Sequence, residues 1–200
     1  MLGSITPLGE RGRNSTWGVT VTALLIGATA GGAGIGWLAG SIGALLRRPL
    51  RLPGGAAPVV LLGLVAAGLA LDSGWFGARV PGPRRQVTED WLRRYRGWVY
   101  GGGFGLQLGS GVVTVVSISA VYTMIAAALL SGSPWWGAVI GAAFGAVRGA
   151  TAFGVAGVDR PQRLVAVDRT LRRWDRPARR IALTAEAGLL AAGVAGLLVR

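Results

Sequence analysis

Ionisable side chains are scarce inside the long apolar stretches of this 200-residue chain, and each one there is a candidate for chemistry. Arg148, Glu186 and Asp72 are the principal ones. Counted from the ends of their apolar runs at 1.5 Å per residue, Arg148 lies about 14 Å deep and Glu186 about 8 Å deep. The long arginine side chain spans that difference by snorkelling, so the two form a candidate pair, with Asp72 near enough to join them or to reach headgroup water. A second candidate is a polar stripe. Ser110, Thr114 and Ser117 recur at spacings of four and three, and Gln107 extends the stripe by one turn. Together Gln107, Thr114, Ser117, Arg148, Glu186 and Asp72 read as a solute path or a charged-solute cluster. The competing structural roles are an ion pair that fixes helix register, and hydroxyls that bond their own i−4 carbonyl or a neighbouring helix.

These residues sit beside glycines spaced four apart: Gly32, Gly36 and Gly40; Gly101, Gly105 and Gly109; Gly137, Gly141, Gly145 and Gly149. In a soluble helix each would cost about 0.8–1 kcal/mol relative to alanine. In a membrane the same spacing strips one helix face of side chains and lets backbones pack closely. The expected fold is therefore all-α, a polytopic transmembrane helix bundle forming a single integral membrane domain over residues 1–200.

Composition agrees. The chain is 52% hydrophobic and 14% charged, whereas a soluble domain carries about 25% charged residues. Its net charge of +13 comes from 21 basic residues, all arginine, clustered between the apolar runs. That clustering predicts arginines facing anionic lipid headgroups, with no nucleic-acid partner. The absence of cysteine and histidine excludes disulfides, thiol redox chemistry and imidazole catalysis from this chain. No P-loop, nucleophile elbow or His-containing metal motif is present, so neither enzyme activity, nor a cofactor, nor a metal is expected.

About 20 apolar residues cross a bilayer as a helix. Five spans are expected, at about 17–46, 55–75, 100–130, 135–157 and 181–199, or six if a long run splits. The connector Ser131 to Pro134 is short enough to make the third and fourth a helical hairpin. Arg11 and Arg13 precede an apolar run, and Ala28-Thr29-Ala30 resembles a cleavage site. The run continues well past Ala30, so an uncleaved first span is expected. With five spans, sixteen arginines fall on the side of the N-terminus and four on the other. The N-terminus is then cytoplasmic in the plasma (inner) membrane.

Two basic connectors have the pattern of amphipathic surface helices. In one, Trp91, Leu92, Tyr95, Trp98 and Val99 share a face, with Thr88, Glu89 and Asp90 favouring its start. In the other, Leu164, Val167, Leu171 and Trp174 do so after Asp159 and Pro161. Either helix suits a lipid surface or a partner protein.

The segments Arg84-Arg85-Gln86-Val87, Trp98-Val99-Tyr100-Gly101, Gly103-Phe104-Gly105-Leu106-Gln107-Leu108-Gly109 and Phe144-Gly145, with Arg148 following, carry a family likeness. The stretch from Arg84 to Arg148, about a third of the chain, resembles actinobacterial membrane proteins related to the cytochrome c biogenesis and disulfide-transfer (DsbD-type) transmembrane family. That family moves reducing equivalents through intramembrane cysteines and has six spans in two inverted halves. This chain lacks the cysteines, so the resemblance implies a transporter-like scaffold without the redox step. The function expected is a transporter- or permease-like protein, or an accessory subunit of a transport system. The alternative is a non-transporting structural or assembly protein that binds partner proteins, or a second copy of itself, through its glycine-rich faces.

Overall fold

A computed structural model describes residues 5–50, 56–73, 94–111 and 119–198. Among them the chain is all-helical, with no strand. The helices are α1 (Pro7–Gly12), α2 (Trp17–Leu50), α3 (Ala56–Asp72), α4 (Gly97–Ser110), α5 (Ala120–Ser131), α6 (Pro134–Ala150) and α7 (Pro161–Leu198). A 3₁₀ turn, Thr151–Val155, continues α6.

Local chemistry sets several of these boundaries. Thr6 caps α1 by accepting the Gly9 N–H at 3.1 Å, and Pro7 follows in the first turn, where a missing N–H costs nothing. Ser133 does the same for α6, accepting from Trp136 N–H at 3.4 Å ahead of Pro134. Gly132, with φ of 56°, ends α5 and closes the expected hairpin with α6.

α2 is the axis of the fold, flanked by α4 and α6 along two different tracks. Gly32 and Gly36 face Gly141 and Gly137, so α6 runs antiparallel to α2. Gly101, Gly105 and Gly109 face the carbonyls of Thr20, Leu24 and Ala28, so α4 runs parallel to it. The backbones touch. A Cβ added at Gly36 would overlap the Gly137 carbonyl oxygen, lie 2.9 Å from its carbon and 3.1 Å from the Gly141 Cα. Ala28 is where the tracks meet: it is fully buried, and its carbonyl lies against both Gly109 and Gly145. The outward faces are apolar, with Ile26 64% and Val147 71% exposed.

Several expectations are corrected here. Two of the described helices, over Trp17–Leu46 and Pro134–Val155, are long and apolar enough to cross a membrane by length and composition. The apolar helices Pro58–Asp72, Ala120–Ser131 and Leu183–Ala192 are shorter, so the described residues do not establish five full spans. The run 100–130 is not one helix. α4 stops at Gly111, whose φ of 69° is left-handed, and α5 begins at Ala120; residues 112–118 lie outside the described residues. The second surface helix and the run 181–199 are one helix, α7, which passes through Pro177. The start of the first surface helix, with Trp91 and Leu92, lies outside the described residues, and its end, with Trp98 and Val99, forms the first turn of α4 after an extended Arg96.

Gly111 supports a direct prediction. Gly111→Ala would force a side chain into a left-handed backbone and place its Cβ 2.9 Å from Val121 Cγ1. A loss of about 1–3 kcal/mol is expected, read as a lower midpoint of thermal unfolding in detergent.

Candidate functional site

The sequence candidates do not assemble into one cluster. Asp72, at the C-terminal end of α3, is buried and points at the start of α5. Both its carboxylate oxygens accept the Ser119 N–H, at 2.9 and 3.2 Å. A helix start leaves N–H groups without intrahelical acceptors and carries partial positive charge. Asp72 thus caps α5 from another helix. Ser119 in turn fits close against Gly68 of α3.

Glu186 of α7 approaches Asp72 and Ser119, which brings three polar side chains together from α3, α5 and α7. This corrects the expected pairing of Glu186 with Arg148. Among the described residues, ion pairs join Glu10 with Arg13 and Asp159 with Arg163. Depth along a span placed Glu186 and Arg148 within reach, but lateral neighbours decide, and Glu186 sits with α3 and α5. Arg148 instead lies with its guanidinium over the Phe144 ring, 5.6 Å from the centroid, on the side of Gly111. Gln107 is half-buried in α4, and its carbonyl accepts the Ser110 hydroxyl at 2.9 Å. Thr114 and Ser117, central to the expected stripe, lie outside the described residues.

Replacing Asp72 with Ala would leave the Ser119 N–H facing an emptied acceptor site. The expected cost is about 1–2 kcal/mol, with fraying of α5 seen as faster amide exchange at Ser119 to Tyr122.

A fully buried carboxylate lies elsewhere. Glu10, in α1, has no exposed surface. Its Oε2 accepts the Thr20 hydroxyl of α2 at 2.8 Å and the Tyr100 hydroxyl of α4, while Oε1 pairs with Arg13 Nη2 at 2.7 Å. Arg13 also stacks over the Tyr100 ring at 5.7 Å. Burial works against the Arg13 charge, but hydrogen bonds to Glu10 and Tyr100 outweigh it and hold its pKa above the ordinary value. The α1 segment is secured again where Leu8 N–H donates to the Val158 carbonyl at 3.0 Å. Glu10 thus joins α1, α2 and α4 at one end of the bundle. By sequence this segment reads only as a basic flank. The one local signal was Glu10 three residues before Arg13, since Thr20 and Tyr100 are brought in by packing alone.

Exposed aromatic residues mark two levels of the bundle. Tyr95, Trp98 and Phe153 are more than half exposed near the start of α2, and Trp37, Trp135 and Trp136 are so further along it. The glycine contacts place Trp98 level with Trp17, and Trp136 level with Trp37. Twenty residues at 1.5 Å separate those levels by about 30 Å.

No family model matches the chain, and no solved structure is significantly similar to it. Relatives do exist among characterised proteins. The chain is 36% identical over 149 residues to the methylamine utilization protein MauF of Methylorubrum extorquens, a match covering 72% of this chain and 50% of that protein. It is 35% identical over 118 residues to MauF of Paracoccus versutus and 36% identical over 119 residues to MauF of Paracoccus denitrificans. Those two matches cover 58% of this chain and 37% and 38% of the relatives. The chain spans about half the length of these relatives or less.

These findings overturn two expectations. The relatives are methylamine utilization proteins, not members of the DsbD-type family that the segments between Arg84 and Arg148 suggested. The glycine-rich pieces that carried that likeness are explained by close helix contact, which any tightly packed bundle demands. The transporter- or permease-like role falls with it, because the relatives are named for methylamine utilization and none for transport. The alternative, partner proteins bound through glycine-rich faces, gains no support either: Gly32, Gly36, Gly101, Gly105, Gly109, Gly137, Gly141 and Gly145 lie against backbone of the same chain.

Proposed function

We propose that the chain serves methylamine utilization as a membrane-embedded helical protein in a supporting, non-catalytic role. The observation that carries this reading is the 36% identity over 149 residues to MauF of Methylorubrum extorquens. The structure supports the membrane part. Two aromatic levels about 30 Å apart match the thickness of a bilayer's hydrocarbon core, and the helix faces between them are apolar. Arginine distribution favours a cytoplasmic N-terminus.

The non-catalytic part rests on how the polar groups are used. Glu10 is engaged by Arg13, Thr20 and Tyr100, and Asp72 by the start of α5. In each case the side chain secures one helix to another.

The test is deletion of the gene in its host. Growth on methylamine as sole nitrogen or carbon source is expected to fail or slow severely, with growth on ammonium and succinate unchanged. Wild-type growth on methylamine after deletion would refute the reading. Recovery of the chain in the carbonate-washed membrane fraction tests its membrane part separately.

A further inference from the structure

α7 runs without a break from Pro161 to Leu198, so its basic and apolar halves share one axis and one register. At 100° per residue, Arg169, Arg172, Arg173, Arg176, Arg179 and Arg180 fall within an arc of about 120°. This stripe is about 16 Å long at 1.5 Å per residue. Two acidic residues, Asp168 and Asp175, lie at its edge, leaving the stretch strongly positive. The opposite side holds Trp174 and Ile181, which are 56% and 59% exposed. Directly beyond the stripe comes 181–198, where Glu186 is the one ionisable residue, over about 27 Å of helix.

We propose that this arginine stripe is a binding site for the phosphate headgroups of anionic lipids. The proposal rests on the membrane-embedded reading. Where the apolar half enters the hydrocarbon, the turns before it cross the headgroup layer and are surrounded by it on all sides. An indole on one face and guanidinium groups on the other are then satisfied at the same depth. Arginine suits the task because its planar fork donates two parallel hydrogen bonds to a phosphate. A soluble acidic protein would be served by the stripe alone and would leave Trp174 and Ile181 in water.

The test uses the full chain in nanodiscs of equal phosphatidylcholine and phosphatidylglycerol, with retained lipids counted by native mass spectrometry. The wild-type chain is expected to retain phosphatidylglycerol about tenfold over phosphatidylcholine. Substituting Arg172, Arg173, Arg176 and Arg179 by Gln should reduce this to about twofold or less. The same four changed to Lys should keep most of the preference, which shows that the loss does not come from misfolding. Arg84, Arg85, Arg93 and Arg94 changed to Gln should lower it clearly less than the same number of changes in α7.

Retention by the four-Gln variant, an equal loss in the second set, or loss in the Lys variant would each overturn the proposal. So would a wild-type chain that enters nanodiscs without enrichment and binds soluble poly-L-glutamate instead, the sign of an acidic polypeptide partner. A chain that does not enter nanodiscs at all overturns the membrane reading on which the proposal rests.

Discussion

Gly36→Leu is expected to prevent accumulation of the folded protein. The new Cβ would fall on the Gly137 carbonyl and within 3.1 Å of the Gly141 Cα, and both are backbone, so no rotamer change relieves the overlap. α6 would have to withdraw from α2 along the whole glycine track, since Gly32 and Gly141 are coupled to the same helix separation. Overpacking usually costs 1–3 kcal/mol, and a clash with backbone on both sides belongs at or above the upper end, about 3 kcal/mol or more. Gly34→Leu is the matched control. Gly34 lies two residues away on the same helix and has open space around its Cβ position. Its replacement should change stability by about 0.5 kcal/mol or less, or raise it through better helix propensity. Thermal unfolding of both variants in detergent, followed by circular dichroism, separates the two outcomes. Equal behaviour of the pair would show that the helices are not packed as described.

Glu10→Leu has the second largest expected effect. It removes the acceptor shared by Thr20 and Tyr100 and leaves the Arg13 guanidinium without its carboxylate. Removing one partner of a buried pair costs more than the pair's net worth, because the remaining charge stays desolvated. Arg13 is 26% exposed and regains some water, so the loss should be about 3 kcal/mol rather than more. Tyr100→Phe deletes one donor and should cost about 1 kcal/mol. A proteolysis assay reads the same event locally: loss of Glu10 should release α1 and make the chain before Trp17 rapidly cleavable.

The contrast between these two sites shows what was legible in the sequence. A face without side chains leaves a periodic mark, so Gly32 to Gly40 and Gly137 to Gly149 announced close contact by spacing alone. Which ladder meets which was not legible, because spacing carries no information about the partner. The Glu10 cluster left no periodic mark. Its members are at positions 10, 13, 20 and 100, and they meet only because α4 lies parallel to the start of α2. The break at Gly111 was hidden for a different reason. Hydropathy averaged over 100–130 stays high across a single left-handed glycine, so the run read as one span. The Arg148–Glu186 pairing failed because depth along a helix axis says nothing about which helices are neighbours. The role of Asp72 was out of reach too, since a cap supplied from another helix has no sequence offset to recognise.

Glu10 and Asp72 fasten helices to one another, and the contribution to methylamine utilization proposed above depends on the bundle they hold. Growth on methylamine of a deletion strain complemented with the wild-type chain, Gly34→Leu or Gly36→Leu tests that claim most directly. Restored growth is expected with the wild-type chain and Gly34→Leu, and growth as poor as the uncomplemented deletion with Gly36→Leu. Full growth with Gly36→Leu, or no methylamine defect in the deletion strain itself, would contradict it.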